Sequence, residues 1–290
     1  MFTEFERSYS SQTILTQMSI DWLYPLVSLL YAAASWHFWR TRWRMTAAIT
    51  SWESFALLPP LLLHVWLLAD TTVTAEGIQL GVGNALSMIA GLTVLIYWLS
   101  SFHSRMEALH APLAAIAAVA VFAPLIFPSV NLLANTELLA FRLHLLIALL
   151  AYSLFTIAAL HASLMAIVEK RLHHVGANNA SVAANLPPLL TLESLLFRLI
   201  AVGFALLTLT LITGVFFSEE IFHKPAEFNH KTVFALLSWI IYAVLLSGRR
   251  LWGWRGKIAV RWTWVGFTML LLAYLGSQFV LEVILHRHSA

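Results

Sequence analysis

The chain has 290 residues, 60% of them hydrophobic and only 11% charged, with a mean hydropathy of +0.80. A soluble domain carries about 25% charged residues, so this composition excludes an ordinary water-soluble fold and predicts one integral membrane domain. Cysteine is absent, which excludes disulfides, thiolate metal ligands and thioether-linked cofactors, and the formal charge of +3 reads as loop topology rather than as nucleic-acid binding.

The first residues are polar and mildly acidic, without the basic start and small-residue cleavage site of a signal peptide. Residues 1–21 are therefore expected to form a polar tail and residues 22–290 a single transmembrane domain. Apolar runs bounded by charges and turn residues predict eight spans, at about 22–39, 55–68, 80–100, 113–128, 138–168, 195–217, 232–246 and 262–285. The expected fold class is all-α, a polytopic transmembrane helix bundle. Pro59 and Pro60 should kink the second span about one turn before His64. The fourth span is rich in alanine and interrupted by Pro124 and Pro128.

Basic residues set the orientation. Arg40, Arg42 and Arg44 follow span one, Arg105 follows span three, and Lys170 and Arg171 follow span five. Arg249, Arg250, Arg255, Lys257 and Arg261 crowd the connection after span seven, whereas the intervening loops carry mostly Asp and Glu. The positive-inside rule puts the basic loops in the cytoplasm and both termini outside. Trp36, Trp39, Trp43, Trp252, Trp254, Trp262 and Trp264 then fall near the inner interface, as an anchoring belt does.

Two histidines, His64 and His144, lie within apolar spans. An ionisable ring in hydrocarbon is costly, so each marks either a functional site or an interhelical hydrogen bond. His64 lies late in span two and His144 early in span five, and these spans run in opposite directions. Both rings therefore share a leaflet, the outer one under the orientation above. His223 and His230 follow span six and His286 and His288 follow span eight on that same side. Neutral imidazole is a good ligand for haem iron, and a haem held by two histidines takes one ring from each face of the porphyrin. The leucines and aromatics around both rings suit a flat apolar macrocycle better than a small hydrated ion. His37, His103, His110, His161, His173 and His174 lie toward the cytoplasm. His144 and His161 are 17 residues apart, about 25 Å along one helix, which would suit a two-haem cytochrome if His37 partnered His161.

The last quarter of the chain is more specific. The run from His230 through Ser238, Trp239 and Tyr242 is followed by Gly253-Trp254-Arg255-Gly256 and by Ala273-Tyr274-Leu275-Gly276-Ser277. With Leu143-His144-Leu145 and Ala151-Tyr152-Ser153 upstream, this pattern resembles the cytochrome c assembly family, the haem-handling membrane proteins of CcsA and CcmC type. The small YpjD/HemX-like inner-membrane subgroup is the most similar in length and span count. The resemblance implies an external haem ligand at His144, a second near His286, and an intramembrane histidine at His64. Two positions depart from the pattern. Glu227-Phe228-Asn229-His230 stands where the family has its external Trp-Asp-Pro segment, and Ser247 stands where synthases carry a further intramembrane histidine.

The resulting expectation is a multi-pass protein of the bacterial inner membrane that handles non-covalent haem b, as an accessory or regulatory member rather than a full synthase. His144 would ligate iron, with His64, His230 or His286 opposite. The alternative is a non-haem auxiliary subunit or regulator of a membrane transporter, its partners the lipid bilayer and another membrane protein. Nucleophile, base and orienting acid do not occur together in a recognisable motif, nor does a glycine-rich phosphate loop.

Overall fold

The computed structural model describes residues 21–44, 53–74, 77–101, 109–128, 132–133, 136, 138–174, 189–220 and 230–273. It is an all-α membrane helix bundle. In hydrocarbon a helix satisfies each backbone N–H and C=O within its own segment, and the long apolar runs leave the backbone little alternative. In chain order the helices are α1 (Leu23–Arg44), α2 (Leu58–Thr72), α3 (Val82–Ser101), α4 (His110–Ala120), the short α5 (Ala123–Ile126), α6 (Leu139–His174), α7 (Leu189–Glu220), α8 (His230–Trp252) and α9 (Lys257–Leu271). A 3-10 turn, Glu53–Leu57, leads into α2. Among the described residues, five stretches are long and apolar enough to cross a membrane: Phe55–Thr72, Val82–Ser101, Leu139–Lys170, Leu189–Phe216 and His230–Trp252. The expected spans at 22–39, 113–128 and 262–285 correspond to α1, to α4 with α5, and to α9, the last of which is described only as far as residue 273.

The double proline acts differently from its sequence expectation. Pro59 and Pro60 do not kink the helix; they occupy the first turn of α2, directly after the 3-10 turn. In a first turn the missing N–H has no intrahelical acceptor to lose, and the fixed φ suits helix initiation. Pro124 likewise sits in the first turn of α5, so the fourth apolar run is broken at Val121–Phe122 rather than at the proline itself. A two-residue antiparallel hairpin, β1 (Val73–Thr74) paired with β2 (Gly77–Ile78), connects α2 to α3.

The bundle has two packed halves. In the first, α1 lies along α4 and α2 packs on both α1 and α3. Ala111, Ala114, Ala117 and Ala118 form a small-residue face on α4, all buried. They let α1 approach closely enough for Ser28 Oγ to donate to the Ala118 carbonyl and Ser35 Oγ to that of Ala111, both at 2.8 Å. This is the packing mode expected where lipid gives helices no hydrophobic drive to associate. The second half comprises α6, α7, α8 and α9, and α3 joins the halves through α6. Its centre is a ring stack of Phe155 on Tyr242, with centroids 4.1 Å apart. Gly266 on α9 sits beneath Tyr242, where a Cβ would come within 2.8 Å of the phenol ring.

Candidate functional site

His64 and His144 are both held by hydroxyl groups on neighbouring helices, but on different helices and in different settings. His64 is fully buried in the first half. Its Nε2 lies 2.8 Å from Ser87 Oγ on α3 and its Nδ1 lies 3.4 Å from the Tyr31 hydroxyl on α1. Tyr31 meets the ring edge-on, with centroids 5.7 Å apart, and Gly91 on α3 leaves room for its Cε1 and Nδ1. Both nitrogens of His64 thus face hydroxyls of its own core. Coordinating iron there would require breaking one of these hydrogen bonds inside closed packing.

His144 is half-buried on the second turn of α6, against the far end of α7. Its Nδ1 lies 2.6 Å from Thr213 Oγ1, Phe141 stacks along the ring, and Gly214 faces Cε1. Around it Leu143 and Leu146 on α6 and Ile212, Val215 and Phe216 on α7 remain exposed and apolar. A neutral imidazole whose Nδ1 is hydrogen-bonded, set in an apolar surface beside a glycine, is a donor suited to an iron porphyrin. Among the described residues there is no group of three or more His, Cys, Asp or Glu that could enclose a bare metal ion. The ring contacts of His64 come from α1 and α3, and those of His144 from α6 and α7. His230 is the exposed first residue of α8, and His286 lies outside the described residues.

Three histidines away from His144 have local partners. His161 is buried, with Nε2 donating to the Leu192 carbonyl at 2.9 Å, and His37 approaches Glu53 at 3.6 Å. His110 is buried between Phe38 and Tyr97. The His37–His161 pairing required for a second haem therefore does not match the contacts these rings make.

Sequence reasoning missed two residues. Thr213 looks like any threonine in an apolar run; its signal was depth, since it lies four residues before the end of span six and His144 six residues after the start of span five. Glu193 is the other. It is buried near the start of α7, 2.5 Å from Arg249 and 3.6 Å from Arg255. Arg249 also lies over the Phe197 ring and donates to the Trp254 carbonyl. These contacts explain the Gly-Trp-Arg-Gly turn. Gly253 and Gly256 both take positive φ, 65° and 54°, so the chain reverses tightly between α8 and α9. The reversal lays Trp254 over Gly248 and turns Arg255 toward Glu193.

Comparison with known proteins agrees with this architecture. The family model described as cytochrome c assembly protein matches residues 52–285. The inner membrane protein YpjD of Escherichia coli K12 is 36% identical over 143 residues, which cover 49% of this chain and 52% of YpjD. The cytochrome c biogenesis protein CcsA of Prochlorococcus marinus strain MIT 9515 is 36% identical over 103 residues, covering 36% of this chain and 33% of CcsA. CcsA of Thermosynechococcus vestitus is 35% identical over 86 residues, 30% of this chain and 27% of that protein. The matched stretches thus span about half the length of YpjD and about a third or less of the CcsA proteins.

Proposed function

Because the chain belongs to the cytochrome c assembly family, we propose that it holds haem non-covalently at the outer leaflet of a bacterial inner membrane, with His144 as an iron ligand. The observation that carries this reading is the setting of His144: a half-buried imidazole whose Nδ1 is engaged by Thr213, within an exposed apolar surface of α6 and α7. The opposite ligand comes from an external histidine, His230 at the start of α8 or His286. His64 keeps a structural role, because both its nitrogens are engaged by Ser87 and Tyr31.

Bound haem would bring a redox-active iron; the chain's own contribution is to hold it. His144 supplies a neutral donor that needs no charge compensation in lipid, and Phe141 limits rotation of that ring by stacking along it. The exposed leucine, isoleucine, valine and phenylalanine side chains offer the macrocycle apolar contact. Glu227 to His230 stand in place of the external Trp-Asp-Pro segment, so the role proposed is accessory or regulatory haem binding within cytochrome c biogenesis, not synthesis of the thioether bond.

Haem titration of the purified full-length protein tests this reading. The Soret band should rise with added haem and respond to reduction, and His144→Ala should remove most of it while His64→Asn leaves it. A protein that takes up no haem, or an H144A variant that binds as the parent does, refutes the proposal.

A further inference from the structure

The hydroxyl of Thr213 has one hydrogen and three close neighbours. Its Oγ1 lies 2.7 Å from the Leu209 carbonyl, one turn back on α7, 3.2 Å from the Thr210 carbonyl, and 2.6 Å from Nδ1 of His144. Both carbonyls can only accept. If the hydroxyl hydrogen pointed at Nδ1, two oxygens would face each other at 2.7 Å with no hydrogen between them. The hydrogen therefore goes to the Leu209 carbonyl, the usual back-bond of a threonine inside a helix. Oγ1 is then an acceptor toward the imidazole, and Nδ1 must carry the ring proton.

A neutral imidazole has one N–H and one lone pair, so protonation at Nδ1 assigns the lone pair to Nε2. We infer that Thr213 is a positioning residue that locks His144 in the Nδ1–H tautomer and so presents Nε2 as the donor to haem iron. This inference rests on the reading of His144 as an iron ligand. The same hydrogen bond spans two helices, which also fixes the ring plane. Phe141 stacks along that plane with centroids 6.4 Å apart, and Gly214 faces Cε1 without crowding it. An outer partner that accepts the distal N–H of a ligand histidine orients the ring and raises the basicity of the ligating nitrogen, and its removal typically lowers affinity about 10–100-fold.

Thr213→Val keeps the shape and removes the acceptor; Thr213→Ser keeps the acceptor. In haem titrations of the full-length protein, T213V should weaken binding about 10–100-fold and T213S should bind like the parent. A second measurement needs no haem: ¹⁵N NMR of the histidine-labelled apoprotein, with the His144 signals assigned from their loss in H144A. The parent and T213S should show protonated Nδ1 at His144, and T213V a mixture of tautomers. Parent-like haem binding by T213V, alongside loss of binding in H144A, overturns the role of Thr213 and leaves the ligand standing. Haem binding unchanged by H144A overturns the ligand reading itself. An apoprotein carrying the proton on Nε2 of His144 overturns the tautomer assignment whatever the haem result.

Discussion

The end of the second half where Glu193 meets Arg249 should respond asymmetrically to loss of these two charged partners. Glu193 keeps only 8% of its side chain exposed, whereas Arg249 keeps 26%. Removing the arginine strands the deeper charge, with only Arg255 left at 3.6 Å on a side chain that is 61% exposed. Breaking a buried pair in this way costs about 3–5 kcal/mol. Glu193→Gln leaves the shallower partner instead. Arg249 retains the Trp254 carbonyl, the Phe197 ring and access to water, so the cost falls to about 1–3 kcal/mol. Arg255→Ala, removing a mostly exposed partner, should change stability by about 0–1 kcal/mol. The assay is unfolding of the purified protein in mixed micelles with increasing denaturing detergent, followed by far-ultraviolet circular dichroism. The expected order is R249A worst, E193Q intermediate and R255A mildest. The double variant R249A/E193Q should recover stability relative to R249A, which requires a coupling larger than the cost of E193Q alone. A reversed order, or strictly additive effects, would refute the view that a buried carboxylate anchors this turn.

Three further outcomes are expected. Gly266→Ala places a Cβ 2.8 Å from the Tyr242 ring and 3.1 Å from Ile241, so it should destabilise by about 1–3 kcal/mol in the same unfolding assay; parent-like stability would show that the Phe155–Tyr242 stack yields freely. Ser87→Ala removes the 2.8 Å partner of His64 Nε2 and should cost about 0.6–1.7 kcal/mol, the range of intramembrane hydrogen bonds, without altering haem uptake. A Soret change in S87A would contradict the structural role given to His64. Ala114→Leu, on the fully buried α4 face that meets α1, should destabilise the first half through overpacking by about 1–3 kcal/mol and leave the His144 tautomer signal intact.

Much of this architecture was legible in the chain because hydrocarbon imposes one strong rule: long apolar runs become helices. The span expected at 80–100 is α3 (Val82–Ser101) almost to the residue. Charges hide where two of the helices end. Span six was expected to begin at 195, yet α7 starts at Leu189 and carries Glu193 inside it, neutralised by Arg249. Span seven was expected to end at 246, yet α8 runs to Trp252, because its terminal arginine has that same partner. The partner lies 56 residues away, and no local pattern encodes it. Pro59-Pro60 misled for a related reason, since a proline pair reads alike as a kink or as a first turn until the preceding 3-10 turn is known. At the candidate site, residue chemistry singles out His64 and His144 alike and the family resemblance favours His144, but the tautomer of His144 stays open. That depends on the Leu209 carbonyl and on Thr213, two residues on another helix.

The features that make the chain recognisable and the proposed haem ligand lie at opposite ends of the second half. Gly253-Trp254-Arg255-Gly256 closes the turn between α8 and α9 and is tied through Arg255 and Arg249 to Glu193. Leu192, next to Glu193, accepts the hydrogen bond of His161. His161 is in turn 17 residues, about 25 Å, along α6 from His144. The motif therefore does mechanical work: it locks α7, α8 and α9 together at that end and fixes how α7 lies against α6. That alignment is what brings Thr213 level with His144 at the other end. A match to the turn establishes the scaffold, and the scaffold sets the helix register. The case for haem rests separately on what the register delivers, an imidazole whose Nδ1 meets the Thr213 hydroxyl in an apolar wall. A variant that loosens the turn, such as R249A, should then broaden the His144 tautomer signal from the far side of the membrane without touching any residue near the ring.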